Sequence, residues 1–162
     1  MITKMLSVDP VRCDGCGDCE AACSKRHGDA SNPSRTHIHI VNGDENSRFY
    51  LPVTCQHCED PPCLAVCPNK AIYRDNELGR VMIRTNLCIG CKMCVSACPF
   101  GAMGFDANQG LAFKCDLCDG VPECVKACRT NALEYVEDHK LNHPRVAYSA
   151  EKHYRVIRSL VR

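Results

Sequence analysis

Sixteen cysteines in a chain of 162 residues fall into four groups of four, with none left over. The first group is Cys13-x2-Cys16-x2-Cys19-x3-Cys23, and the second is Cys55-x2-Cys58-x4-Cys63-x3-Cys67. The third is Cys88-x2-Cys91-x2-Cys94-x3-Cys98, and the fourth is Cys115-x2-Cys118-x5-Cys124-x3-Cys128. With no Trp and only 6% aromatic residues, a purely hydrocarbon core would be thin. The fold has to be organised around whatever the cysteines hold.

The spacings suit a cubane. A loop with Cys at every third position wraps three corners of a [4Fe–4S] cluster, and a fourth Cys one helical turn further on points away. The first and third groups match the run C-x2-C-x2-C-x3-C of bacterial two-cluster ferredoxins, where that fourth Cys ligates the other cluster. The second and fourth groups have longer loops in the middle but keep the x2 start and x3 end. Structural zinc usually draws on two separated C-x2-C knuckles, and disulfides need an oxidising compartment. Both fit four such quartets less well, so the expectation is four [4Fe–4S] clusters. Spacing alone leaves nested and sequential pairing of the groups open. The short gap from Cys98 to Cys115 disfavours joining the third group to the fourth.

The opening residues, Met1 to Pro10, carry no apolar h-region and no twin-Arg motif. No apolar run approaches the roughly 18 residues of a membrane span. The expectation is a cytoplasmic protein with no transmembrane segment, its thiols binding metal; export on a signal-bearing partner is the alternative. The formal net charge is +1 with every Cys neutral. Sixteen thiolates and four oxidised cores bring the holoprotein to about −7. That argues against a nucleic-acid binder. No nucleophile–base pair, phosphate loop or nucleotide fingerprint is present, so no catalytic residue is assigned.

A repeat extends beyond the cysteines. A small residue and an apolar strand start follow three of the groups, at Ala71-Ile72, Ala102-Met103 and Ala132-Leu133. Leu64-Ala65-Val66, Val95-Ser96-Ala97 and Val125-Lys126-Ala127 each fill a helical turn whose apolar side chains are expected to shield the clusters. Three hairpins are predicted: Ala71–Tyr73 with Arg80–Ile83, Ala102–Phe105 with Leu111–Phe113, and Thr36–Val41 with Phe49–Leu51. The polar stretch from Ser24 to Arg35 reads as a loop. From Ser149 onward Ala150, Tyr154, Ile157 and Val161 follow a helical period, with Lys152, Arg155 and Arg158 lying mostly elsewhere on the wheel. This segment is a helix that packs on its own body or docks on a partner or a second copy.

Gly15, Gly17 and Gly90 lie inside ligand loops, where they let backbone N–H groups approach cluster sulfurs or simply permit the turn. His57, inside the second ligand loop, reads as a donor to a cluster sulfur, as a group that makes the cluster's potential pH-sensitive or, in the favoured reading, as a surface or partner-contact histidine; His37 and His39 read as ordinary strand residues. Lys92 and Lys114 either offset cluster charge, steer a partner, or are simply solvated.

Three stretches carry a resemblance: Cys55-Gln56-His57-Cys58-Glu59-Asp60-Pro61-Pro62-Cys63, Cys88 to Ala102, and Lys114-Cys115-Asp116-Leu117-Cys118. Across about residues 5 to 137 the chain resembles the four-cluster ferredoxin-like electron-transfer subunits of molybdenum and tungsten oxidoreductases such as formate dehydrogenase and aldehyde oxidoreductase, of hydrogenases and of carbon monoxide dehydrogenase. The resemblance implies an α+β, duplicated dicluster ferredoxin-like fold of short helices and β-hairpins around four clusters, with a C-terminal helix added. It implies a first dicluster unit from residues 1–53 and 101–137, a second from 54–100, and a docking segment over 138–162. It also implies nested pairing. One cluster would take Cys13, Cys16, Cys19 and Cys128, and another Cys115, Cys118, Cys124 and Cys23. A third would take Cys55, Cys58, Cys63 and Cys98, and the last Cys88, Cys91, Cys94 and Cys67. Cys128 is followed by Arg129 and Cys23 by Ser24, where Pro is common; neither departure removes a ligand.

The function implied is a non-catalytic subunit relaying single electrons between a catalytic oxidoreductase subunit, with tungsten or molybdenum favoured, and another redox partner of flavin or ferredoxin type. Self-stacking of copies through the C-terminal helix is a further arrangement. The alternatives are a free-standing polyferredoxin shuttle, and a subunit of a hydrogenase or carbon monoxide dehydrogenase.

Overall fold

In a computed structural model, residues 4–28, 35–43, 49–137 and Arg158 are described. Apart from Arg158, the expected C-terminal helix lies outside these residues. One local unit recurs three times. Short helices Pro62–Ala65 (α2), Met93–Ala97 (α3) and Glu123–Ala127 (α4) each lead into the last cysteine of a group. The turn that follows is closed in the same way each time. The N–H groups of Lys70, Gly101 and Asn131 donate to the carbonyls of Cys67, Cys98 and Cys128 at 3.2, 3.3 and 3.3 Å. All three donors sit at positive φ, 53°, 63° and 51°. The next residue is a buried alanine, Ala71, Ala102 or Ala132. A methyl fits there because the chain turns back against its own ligand loop before a strand begins.

The strands form four two-stranded antiparallel ribbons. Ile38–Asn42 (β2) pairs with Tyr50–Thr54 (β3), Ile72–Asp75 (β4) with Arg80–Ile83 (β5), and Gly104–Asp106 (β6) with Leu111–Phe113 (β7). These are the three expected hairpins. The fourth ribbon was not expected: Lys4–Val8 (β1) pairs with Leu133–Glu137 (β8), Leu6 facing Tyr135 and Val8 facing Leu133. No hairpin turn announces it, because its partners are more than a hundred residues apart.

Two further expectations are corrected. Ser24 does not open a loop; helix Asp18–His27 (α1) carries it on through Cys19 and Cys23. Asp18 and Glu20 at its start and Lys25, Arg26 and His27 at its end both suit the helix dipole. Gly28, at φ 121°, closes it with an N–H bond to the Ser24 carbonyl. Leu64 does not shield a core, since it is exposed on α2.

The buried residues form two clusters. In one, Leu6, Ile38, Leu117 and Leu133 surround Cys19, Cys23, Cys115 and Cys124. In the other, Ile72, Val81, Met103 and Ala112 surround Cys63 and Cys94. α1 packs on α4 in the first, and α2 on α3 in the second. No helix among the described residues is long and apolar enough to cross a membrane.

Leu133 is 2% exposed and knits β8 to the first cluster, whereas Val41 is 51% exposed. Leu133→Ala is expected to cost about 2–5 kcal/mol and Val41→Ala under about 0.5 kcal/mol. The check is the urea midpoint by far-UV circular dichroism under anaerobic conditions.

Candidate metal centres

Each group opens with a Cys-x2-Cys loop bent at one position, the residue before the second cysteine. Gly15, His57, Gly90 and Leu117 occupy it, at φ 74°, 46°, 69° and 59°. In two loops the left-handed bend falls to glycine, which adopts it freely. Close approach also demands glycine there. A Cβ on Gly90 would lie 2.5 Å from the Gly110 carbonyl oxygen, and one on Gly15 2.5 Å from the Tyr50 ring. In the other two loops a side chain is retained at the cost of backbone strain. Groups one and four share a further device, Cys-Asp-x-Cys. Asp14 accepts from the Cys16 N–H at 3.2 Å, and Asp116 from the Cys118 N–H at 2.8 Å. That repeated tetrapeptide is visible in the sequence and gives the two loops the same local turn.

All sixteen cysteines are free thiols. One cavity is lined by Cys55, Cys58, Cys63 and Cys98, and a second by Cys67, Cys88, Cys91 and Cys94. Each brings together three cysteines of one group and the last cysteine of another. In the first core, burial and then the neighbouring Cys115, Cys23, Cys118 and Cys19 push the Cys124 thiol up. Burial and then Glu20 push Cys19 up to about 12, with Cys16 and Cys128 adding to the effect. Cys128 goes the other way. Burial opposes it, but the Leu133, Ala132 and Thr130 N–H groups and the Thr130 hydroxyl hold its thiol below the usual value.

Backbone N–H groups aim at sulfur in both cores. His37 donates to Cys23 at 3.2 Å, His57 to Cys55 at 3.4 Å, Ala71 to Cys67 at 3.3 Å and Leu117 to Cys115 at 3.4 Å. Such donors favour the thiolate. A lone zinc ion would draw its sulfurs to about 3.8 Å apart, given Zn–S bonds near 2.3 Å. Among the described residues no three cysteine sulfurs lie within 4.8 Å of one another. The quartets are spread too widely for a single ion and suit a larger group. The triplets that do come that close are Cys23–His27–His37 and His27–Asp116–Cys118.

The histidines and lysines depart from expectation. His57 is not at the surface. It is 7% exposed, and its Nδ1 accepts from the Val81 N–H at 3.0 Å. Burial, then Lys114 and Arg80, push its pKa down to about 3. His37 precedes β2 rather than lying in it, and stacks between His27 at 3.9 Å and Phe113 at 5.1 Å. Burial and then His27 push its pKa down to about 4. His39 is a strand residue, its Nδ1 4.0 Å from a Glu20 oxygen. Lys92 is exposed and sits over the Phe105 ring at 4.3 Å. Lys114 is buried, a placement that its sequence setting beside Cys115 did not announce.

Residues 46–138, more than half of the chain, match the 4Fe-4S dicluster domain, and the chain belongs to that family. [4Fe–4S] clusters are accordingly its cofactor. The chain is 38% identical over 110 residues to formate hydrogenlyase subunit 2 of Escherichia coli strain K12, covering 68% of this chain and 52% of that protein. It is 39% identical over 113 residues to the thiosulfate reductase electron transfer subunit PhsB of Salmonella typhi, covering 67% and 58% respectively. The chain thus spans about half the length of the curated relatives it matches. Among solved structures it is similar to a chain of the active site complex BamBC of benzoyl coenzyme A reductase in complex with zinc. The TM-score is 0.50 at 26% identity, over 99% of this chain and 98% of that one.

Gly90→Ala meets both a left-handed backbone and a carbonyl oxygen, whereas Gly101→Ala, at φ 63°, meets open space. The first is expected to lower iron and sulfide per chain. The second is expected to keep full iron and lose about 1 kcal/mol or a little more of stability. Iron and sulfide assays beside thermal melts check both.

Proposed function

We propose that this chain is the electron-transfer subunit of an oxidoreductase complex, carrying four [4Fe–4S] clusters. The observation that carries the reading is the pair of cavities, each lined by three cysteines of one group and the last cysteine of the other. The ligand sets follow the nested scheme. Cys55, Cys58, Cys63 and Cys98 hold one cluster, and Cys88, Cys91, Cys94 and Cys67 another. Cys115, Cys118, Cys124 and Cys23 hold a third, supported by the mutual influence of these thiols. Cys13, Cys16, Cys19 and Cys128 hold the fourth, supported by Cys128 acting on Cys19 and by the Arg129–Asp14 contacts at 2.9 and 3.1 Å. The scheme divides the chain into a unit of residues 1–53 and 101–137 and a unit of 54–100. The β6–β7 hairpin is their seam, since Phe105 and Ala112 pack with the second core while Cys115 follows in the first.

A bound cluster supplies one-electron oxidation and reduction. The protein holds the sulfurs, excludes water and sets the local charge. Cys16 and Cys91 are the exposed ligands. The clusters they serve are the points at which electrons enter and leave. Val11, close in sequence to Cys16, and Ile89 and Met93, flanking Cys91, are exposed apolar residues suited to a docked partner. The relative named an electron transfer subunit of thiosulfate reductase supports a non-catalytic role beside a catalytic subunit. We favour tungsten or molybdenum in that partner, and a cytoplasmic setting for sixteen reduced thiols.

The native complex is expected to give about sixteen iron and sixteen sulfide per copy of this chain. Iron near eight would leave two clusters and overturn the count. The pairing has its own test in double variants. Cys63→Ala with Cys98→Ala removes ligands from one cluster in the nested scheme, but from two if the third group is joined to the fourth. Cys94→Ala with Cys98→Ala removes ligands from two in the nested scheme. Counting intact clusters by Mössbauer and electron paramagnetic resonance spectroscopy separates the outcomes.

A further inference from the structure

His57 holds a conformation that the equivalent loops of groups one and three give to glycine. A non-glycine residue there strains the backbone, and the side chain offsets that strain only through what it contacts. The imidazole is fixed at one edge only. Nδ1 accepts from the Val81 N–H at 3.0 Å and lies 3.4 Å from Lys114 Nζ. With donors on Nδ1, the ring proton sits on Nε2. Nε2 is buried and has no hydrogen-bond partner among the described residues. Buried donors are rarely left so, because the group has given up water and gained nothing in its place. His57 lines the cavity with Cys55, Cys58, Cys63 and Cys98.

Lys114 completes the arrangement. It is 5% exposed. Its Nζ reaches the Val81 carbonyl, the Cys115 carbonyl at 2.7 Å and His57 Nδ1, which accounts for the three donors of an ammonium. No described carboxylate forms an ion pair with it. A buried cation without an anion is strongly unfavourable. Its charge acts on Cys63 from one core and Cys115 from the other, against the larger effect of burial. The charge it lacks is the one that thiolate-ligated clusters on either side would supply.

We propose that His57 and Lys114 raise the reduction potential of the cluster held by Cys55, Cys58, Cys63 and Cys98, His57 by donating its Nε2–H into that site and Lys114 by placing a buried positive charge behind it. The inference rests on the ligand sets of the proposed function. Both residues are positioning groups: neither ligates iron, and neither gains or loses a proton in the role. A donor and a cation stabilise the added electron of the reduced cluster more than the oxidised one, which is the direction of a higher potential.

The test is redox titration of the native complex, followed by electron paramagnetic resonance, for wild type, His57→Leu, His57→Gln and Lys114→Met. At a fixed poise near its midpoint, the cluster held by Cys55, Cys58, Cys63 and Cys98 is expected to lose at least tenfold in its reduced-to-oxidised ratio in both His57→Leu and Lys114→Met, a downward shift of about 59 mV for a one-electron couple, with the cluster held by Cys115 moving the same way in Lys114→Met alone. His57→Gln, which keeps a donor, is expected to recover much of the loss. Midpoints unmoved in both variants at full iron content, or all four moved equally, would overturn the proposal. A second measurement needs no His57 variant. With histidine labelled with 15N in the imidazole ring alone, so that the His57 backbone N–H on Cys55 is silent, a weakly coupled nitrogen is expected on a reduced cluster, and it should persist when His27→Gln and His37→Gln are introduced together. Absence of any such coupling would also overturn it. A wild type lacking one of four clusters in the iron count sinks the underlying ligand scheme instead, and the two failures are read separately.

Discussion

The burial of thiols is the condition on which this fold depends. Cys19, Cys23, Cys63, Cys94, Cys115 and Cys124 are buried among leucines and isoleucines that are at least as deep. Desolvation is the largest of the effects that push Cys115 and Cys19 up to about 12, so a bare sulfur there would keep its proton. Ligation requires that proton to leave. The two demands meet only if a metal centre takes up the charge, with backbone N–H groups of the ligand loops supporting it. The short helices, the tight turns and the buried alanines follow from that condition. They are what a chain does when it must bring four sulfurs from distant loops to one place and has few large side chains to fill the space.

Charged groups tie the two cores together beside the apolar β6–β7 hairpin. Arg80 of β5 reaches Asp75 at 2.8 Å and Asp119 at 2.9 Å, and also binds the Asp116 carbonyl. It thereby steadies the left-handed run from Leu117 to Gly120 inside the fourth ligand loop. Lys114 spans the same seam a few residues earlier. Both cations come from segments that are unremarkable in composition, and both derive their importance from where the backbone brings them.

That explains what the sequence disclosed and what it withheld. The hairpins at 72–83 and 104–113 were legible because their turns are local and marked by Gly79 and Gly110, both at positive φ. The cysteine quartets were legible because ligand spacing is local too. The pairing of Lys4–Val8 with Leu133–Glu137 was not, since nothing within either segment names the other. The helical fate of Ser24–His27 was missed because polarity was read as loop. The stretch is instead the charged end of a helix whose buried face is cysteine. His57 and Lys114 were misjudged or left undecided for one reason: their burial is imposed by Val81 on a strand whose partner loops are remote in sequence.

The β1–β8 ribbon has a consequence for how the protein is made. Its two strands lie at opposite ends of the described chain, so the core they close waits for residue 137 to be synthesised. At about 5–20 residues per second, translation takes on the order of ten seconds to carry the chain from one strand to the other. Through that interval the cysteines of the first loop have emerged while their neighbours on α4 do not yet exist. The β4–β5 ribbon, by contrast, closes over a dozen residues. The thiols of the first loop are therefore exposed on the nascent chain before the segment that buries them has been made.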